Sequence, residues 1–448
     1  MPVAVVVGVL AGALYTVSPL TAWCIPLGAI VFALAGRGLE RKDRQALNTL
    51  LIAALAVRLA AIGALVVINA PMHDSESVGM LTGDEAYNLS RALRTRNVIT
   101  GEPVAQYDYF VAYDEYGRTS YIPLLTAIQV LFGPTPYSMR VLNTILFLVG
   151  AILLFRMTLS AFGRLPAFGG LAVLLFLPTL FYWSISLLRE PLYMLGSALV
   201  LTGAVAAIRP ATWQQRLCSL LPAVLGLAIV IGLRPGAVAL ALLGLATGLV
   251  IFVVCASPPR VKSLVLAAAL VAITTAALRP ATQQRIISAL ESTAKTHAGH
   301  VFTVGHSYKL LDDGFYFNPV APAASTLTLT PAEAARYVIR SAASFVAVPL
   351  PWQLASTREL TYLPEQLVWY VLIAFVPFGL LAGWRRDPIA TALLAGFVLP
   401  TSAALALTNG NVGTLLRLRG IVVPYLVWIS AVGFCQWLQR SAARTATA

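Results

Sequence analysis

Asp84 and Glu85 stand side by side in the stretch Leu81 to Leu93, LTGDEAYNLSRAL, just beyond the end of a long hydrophobic run. A carboxylate placed there can act as a general base, taking the proton from a hydroxyl so that its oxygen becomes a nucleophile. The plainer use of the same pair is to favour the start of a short interfacial helix, because acids are stabilised at helix N-termini.

Positive charge forms the second constellation. Arg189, Arg234 in GLRPGA, and Arg417 and Arg419 in LLRLRG each interrupt apolar sequence at a boundary. A guanidinium fork matches phosphate oxygens, and a charge at such a depth is costly unless it is paired or functional. Each arginine taken singly could equally snorkel to the interface or pair with an acid. Arg58, inside the third apolar run, either faces a cavity or pairs with an internal carbonyl.

Other residues that could do chemistry carry less. His297 and His300 are three apart in HAGHVFTVGH, a spacing that chelates zinc on a helix. No acidic ligand is suitably spaced, and Gly299 and Gly305 argue against a stable helix, so no metal site is expected there. Tyr107, Tyr109, Tyr113, Tyr116 and Tyr121 could stack on sugar faces, but tyrosines also serve as interfacial anchors. Cys24, Cys255 and Cys435 fall inside apolar runs and Cys218 at a boundary, which implies neither a disulfide framework nor a thiol site.

The elements that must position these groups are membrane helices. Of 448 residues, 58% are hydrophobic and 11% charged, a composition whose solvent is mostly lipid. Apolar runs of the length that crosses a bilayer fall near 3 to 17, 19 to 36, 47 to 70, 137 to 157, 166 to 185, 190 to 208, 218 to 232, 235 to 256, 261 to 279, 366 to 383, 388 to 407 and 420 to 438. The expected fold is therefore an all-α polytopic membrane protein with about twelve transmembrane helices. No cleavable signal peptide is expected, since the first run lacks a basic flank and a second follows at once.

Basic loops fix the expected orientation. Arg37, Arg41, Lys42 and Arg44 mark one loop as cytoplasmic, and alternation then puts Arg156, Arg164, Arg209, Arg216, Arg260, Lys262, Arg385, Arg386, Arg440 and Arg444 on the same side. Only Glu40, Asp43 and Asp387 join them there, so the formal net charge of +13 is a topology signal and gives nucleic-acid binding little claim. Both termini are expected in the cytoplasm. The remaining acids and all four histidines fall outside, which points to an outer working face.

Two long outer segments break the alternation, 71 to 119 and 280 to 365. The first is acid-rich and carries QYDYFVAYDEYGRTSYIP, after which Tyr121 to Gly133 reads as a juxtamembrane helix too short to span. This divides the chain into an N-terminal hairpin with a basic loop (1–46), a core (47–279) with an outer loop (71–136), a second outer loop (280–365) and C-terminal helices (366–448).

This order resembles a known family. An outer loop opening on Asp-Glu, a juxtamembrane helix, then FGPTPYSMRVLNTILFLVGAILLFRM and SLLREPLYML look like the polyprenyl-phosphate-dependent GT-C glycosyltransferases, within which the likeness is to the protein O-mannosyltransferase and lipid A aminoarabinose transferase group. The resemblance covers Thr82 to Arg209, with an echo in NVGTLLRLRGIVVP; a departure is Ser120, Tyr121, Ile122 and Pro123 where relatives often carry His-Pro-Pro. It implies a GT-C-like core in which Asp84 is the catalytic aspartate, Glu85 its acidic neighbour and Glu190 a second acid. Arg189, Arg234, Arg417 and Arg419 would hold the donor phosphate.

The implied activity is transfer of a sugar from a polyprenyl-phosphate donor to a hydroxyl of a glycan, lipid or protein acceptor, with inversion, at the periplasmic face of a bacterial inner membrane. No cofactor is firmly implied; some relatives with pyrophosphate-linked donors use a divalent ion, Mg or Mn. Two alternatives stay open. A polysaccharide polymerase or O-antigen ligase would make the histidines of 280–365 essential and Asp84 dispensable. A transporter or flippase of lipid-linked sugars would call for internal repeats and mid-membrane charges, which are missing or few.

Overall fold

The computed structural model describes residues 18–69, 83–115, 119–209, 212–234, 236–303, 305–316, 328–353 and 360–447, with Gly8 and Gly12. The apolar run 3–17, apart from those glycines, and Asp74, Glu76 and Tyr116 lie outside the described residues. The regular structure that is described is helical, joined by one isolated bridge between Ser307 and Asn411. Among the described residues eight helices are long and apolar enough to cross a membrane, or up to ten if each of two bent pairs is one span. The protein is therefore a multi-pass membrane protein. The expectation of about twelve spans exceeds this count because run 3–17 is not described and run 19–36 forms a helix of only 17 residues.

The chain divides into two compact units. The first comprises 1–160 and 167–241. Its helices are α1 (Pro19–Ala35), α2 (Arg41–Asn69), α3 (Gly83–Thr100), α4 (Gln106–Tyr113), α5 (Tyr121–Phe132), α6 (Pro136–Phe162), α7 (Arg164–Phe176), α8 (Pro178–Ile185), α9 (Glu190–Ile208) and α10 (Trp213–Val230). The expected juxtamembrane helix is α5.

Helices α7 and α8 form one of the bent pairs, turned by 60°. Pro178 has no N–H to offer the preceding turn, so the helix breaks and leaves carbonyls without their usual donors. Arg58 on α2 takes up this debt: Nη2 donates to Leu175 O at 2.7 Å, Nε to Ser184 Oγ at 2.7 Å, and Nη1 to Ala54 O at 3.1 Å. The rings of Phe147 and Phe181 lie 4.9 and 5.0 Å from its guanidinium carbon. Of the two expectations for Arg58, pairing with internal carbonyls is the one observed. It joins α2 to both halves of the broken helix.

Lipid tails are as apolar as leucine, so neighbouring membrane helices gain little from burying leucine and instead associate by close contact through small residues. The α9–α10 hairpin follows this rule. A Cβ at Gly226 would stand 2.3 Å from Gly196 O, and one at Gly203 would stand 2.8 Å from Ala223 N. This contact matters beyond α9 and α10 themselves, because Glu190 opens α9 and Arg234 follows the far end of α10.

The second unit comprises 161–166 and 242–448. It contains most of α11 (Ala237–Ala256), then α12 (Pro259–Leu278), α13 (Pro280–Val301), α14 (Pro331–Ala347), α15 (Leu363–Arg386), α16 (Pro388–Thr408), α17 (Val412–Arg419) and α18 (Val423–Thr447). Gly379 and Gly433 bring α15 against α18, and Gly396 brings α16 against α11 at Gly244 and Gly248.

The stretch around His297 and His300 is helical, contrary to expectation, since both lie in α13. Gly299 weakens a helix by about 1 kcal/mol relative to alanine. That cost is outweighed by burial of Ala294 and Ala298 with Leu310, Leu311, Tyr316 and Tyr337. His297 is itself fully buried, its Nδ1 2.6 Å from Asn409 O, which also accepts from the Tyr308 hydroxyl at 2.7 Å. A carbonyl only accepts, so Nδ1 carries the proton and Nε2 is the bare nitrogen. Burial lowers the His297 pKa to about 4.

Two outcomes are expected from these packings. Gly226→Leu should separate α9 from α10 and lower stability by roughly 1–3 kcal/mol, read as a fall in the thermal unfolding midpoint in detergent. For His297, the unfolded chain binds a proton near pH 6.5 while the folded chain does so near 4. Its contribution is therefore intact above about 6.5, is lost as pH falls toward about 4, and changes no further below that. Unfolding midpoints across this window should fall more steeply for the native chain than for His297→Gln; parallel curves would refute the assignment.

Candidate active site

The two adjacent acids have opposite surroundings. Both lie in the first turn of α3, where helix polarity favours them, yet Asp84 is exposed and Glu85 is fully buried. Glu85 Oε1 accepts from Arg140 Nε at 3.0 Å, from Arg140 Nη2 at 2.5 Å, and from the backbone N–H of Leu187 at 2.8 Å. Arg140, near the start of α6, is also fully buried. One carboxylate oxygen thus joins α3, α6 and the turn that connects α8 to α9.

That turn is held almost entirely by side chains. Asn143 on α6 donates from Nδ2 to Ser186 O at 2.7 Å and to Leu188 O at 2.9 Å. Thr144 bonds Ser184 O at 2.9 Å, and Asn88 on α3 reaches Leu187 O at 3.3 Å. Buried backbone groups need such partners, and here the partners also set where α9 begins. Arg189 is its N-cap residue and Glu190 its first residue, followed by Pro191, which suits a helix start.

Glu190 is 5% exposed and its Oε1 pairs with Arg234 Nη2. Glu190 Oε2 and Arg234 Nε are buried and have no hydrogen-bond partner, so each member of the pair keeps one unused valence. Arg234 reaches this place through the turn 231–234, where Gly232 adopts φ +75°, a conformation that suits glycine. Ser120 grips this turn by donating its N–H to Gly232 O at 2.9 Å and its hydroxyl to Ile231 O at 3.2 Å. The same grip places Tyr121, the next residue, between the two acidic segments. Its hydroxyl is hydrogen-bonded to the Asn143 side chain and lies within electrostatic reach of Glu190 and Glu85. Burial first, and then these two carboxylates, push the Tyr121 hydroxyl far above its ordinary pKa, so it stays protonated.

Asp84, Glu85, Arg189, Glu190 and Arg234 therefore belong to one unit, whereas Arg417 and Arg419 belong to the other. Arg419 is buried, donates to Gln366 Oε1 at 2.8 Å, Val348 O at 2.6 Å and Phe345 O, and stacks 4.8 Å from the Trp369 ring. It caps the end of α14, an architectural use. Arg417 is half-buried on α17. His297 and His300 turn their Nδ1 atoms to Asn409 O and Thr408 O. Among the described residues no group of three or more His, Cys, Asp or Glu comes together as a metal site.

Sequence reasoning did not single out Arg140 or Asn143, although both lie in the FGPTPYSMRVLN stretch quoted for the resemblance. The signal for Arg140 was present: an arginine near the start of an apolar run, like those that were chosen. Comparison with protein-family models, curated proteins and solved structures finds no match for this chain.

Arg140→Met strands a buried carboxylate and is expected to cost roughly 3–5 kcal/mol. Glu85→Gln combined with Arg140→Met should recover a large part of that loss in thermal unfolding. Additive losses would show that the two side chains do not act as a pair.

Proposed function

We propose that the protein is a membrane glycosyltransferase of the GT-C type, moving a sugar from a polyprenyl-phosphate donor to an acceptor hydroxyl at the outer face of a bacterial inner membrane. The observation that carries this reading is the grouping within one unit of an exposed aspartate, a part-buried carboxylate–arginine pair with unused valences, and a boundary arginine. General base and phosphate binder are the two ingredients that transfer from a lipid phosphate requires.

In this reading Asp84 takes the proton of the acceptor hydroxyl. The acceptor oxygen forms a bond to the anomeric carbon from the side opposite the phosphate, the bond from that carbon to the phosphate oxygen breaks, and polyprenyl phosphate leaves with the electron pair. Attack from the opposite side inverts the anomeric centre. Arg234 and Arg189 stabilise the departing phosphate, and Glu190 orients the Arg234 guanidinium while offering Oε2 to an acceptor hydroxyl. Glu85, whose Oε1 accepts three hydrogen bonds, is better suited to fixing the start of α3 than to moving protons. The bonds of Arg419 to Gln366 and main-chain carbonyls favour Arg189 and Arg234 over it for the phosphate. A divalent ion is not needed for these steps, and chelation of the assay tests for one.

Transfer measured on purified protein with radiolabelled polyprenyl-phosphate sugars should fall roughly 10²–10⁴-fold in Asp84→Asn. A smaller loss is expected in Glu190→Gln and none in His300→Ala. Full activity in Asp84→Asn would overturn the mechanism. Loss confined to His300→Ala would favour a polymerase or ligase.

A further inference from the structure

A cavity of about 510 Å³ lies among α3, α4 and α5. Its size falls in the range of sites for single small ligands, roughly 300–1,000 Å³. Its walls are almost wholly apolar, from Ile99, Ala112, Ile122, Val130 and Leu131. The two threonines that face it have spent their hydroxyls on the backbone, Thr95 on Arg91 O at 2.8 Å and Thr126 on Ile122 O at 3.0 Å. Among the described residues that line it, Arg91 alone carries a charge.

Arg91 is 1% exposed, its Nη1 bonded to the Tyr87 hydroxyl and its guanidinium carbon 5.6 Å from the Tyr87 ring. A cation in the wall of an apolar pocket selects a ligand that is apolar along its length and anionic at one end. The surroundings have the character of a lipid interface as well. Leu131 is 75% exposed at the rim, and α4 turns Tyr107, Tyr109 and Phe110 outward, with Phe110 78% exposed. Aromatic side chains of this kind belong at the level of lipid headgroups. Such an apolar rim is unfavourable against water and favourable against acyl chains. The Arg94–Asp108 ion pair at 2.8 Å ties α4 to α3 and keeps the rim in place.

We propose that this cavity binds an anionic phospholipid, with one acyl chain between α3 and α5 and the phosphate at Arg91. A volume of about 510 Å³ matches one acyl chain, whereas most of a long polyprenyl tail would lie outside the cavity, which separates this lipid from a polyprenyl-phosphate substrate. Arg91 follows Asp84 by two turns of α3, on nearly the same face of that helix. The bound lipid therefore braces the helix that carries the proposed base, although the binding itself does not depend on that catalytic reading.

The test is native mass spectrometry of the full-length protein in detergent, titrated with phosphatidylglycerol, phosphatidylethanolamine, diacylglycerol or polyprenyl phosphate. The native chain should retain phosphatidylglycerol about tenfold more tightly than phosphatidylethanolamine or diacylglycerol, a difference of about 1.4 kcal/mol. Ala127→Trp, which fills the cavity from its open side, should lose that binding with its unfolding midpoint unchanged, while Ala127→Ser keeps it. Arg91→Gln should lose the preference for the anionic headgroup. Equal binding by the native chain and a folded Ala127→Trp would overturn the proposal. So would equal retention of the three bilayer lipids, or displacement of phosphatidylglycerol by polyprenyl phosphate.

Discussion

The buried ion pair between Glu85 and Arg140 is the interaction on which the candidate site depends. Both side chains are fully removed from solvent, and the same carboxylate oxygen holds the Leu187 N–H. Removing two charges from water costs about as much as their attraction returns, so such a pair is weak evidence of stability. Its value here is in geometry. It fixes the start of α3, and so the backbone of the exposed Asp84, against the turn that launches Glu190 into α9. An apolar pair of equal volume could match its energy, yet it would leave the Leu187 amide without an acceptor and the turn free to shift.

A second constraint lies along the membrane helices. Glu190 and Arg234 are 44 residues apart and meet because α9 and α10 return alongside one another. The approach of Gly226 to Gly196 is closer than any side chain would allow, and backbone in direct contact leaves little freedom to slide. The grip of Ser120 on Ile231 and Gly232 then brings α5 to the same place. Polar clamps at the end of the hairpin and small residues along it are thus complementary. The first set aligns the functional groups, and the second keeps the helices near enough for that alignment to persist.

What was legible in the sequence follows from what the bilayer demands. Crossing lipid requires unbroken apolar length, so the runs from 47 to 70 onward coincide with helices, and even the break at Pro178 falls inside a run read as one span. Asp84 and Glu85 stood out because they follow a membrane span closely and precede a juxtamembrane helix, Arg234 because charge is scarce at a membrane boundary, and Glu190 through the family resemblance. The division of labour between Asp84 and Glu85 was not legible, since neighbouring identical chemistries differ only in which one meets Arg140, 55 residues away. The helix through His297 was hidden for a related reason. Local preference, lowered by Gly299, was overridden by burial against Leu310, Leu311 and Tyr337, which are distant in sequence.

The buried arginines suggest how function and architecture can be told apart at such depths. Arg58 directs its donors to Leu175 O, Ala54 O and the Ser184 hydroxyl. Arg419 directs its own to Gln366 and the last carbonyls of α14. Each satisfies a carbonyl that a break or a helix end has left open, Leu175 O for Arg58 and Phe345 O for Arg419, and a ligand could claim them only by reopening that structure. Arg234 differs in kind. Its partner is a carboxylate with one oxygen unpaired, and its own Nε has no acceptor, so a phosphate and a hydroxyl can add to the pair without dismantling anything. A buried arginine whose bonds end mainly on main-chain carbonyls is a structural element, whereas the part-buried Arg234, which shares an incompletely used carboxylate, has capacity left for chemistry.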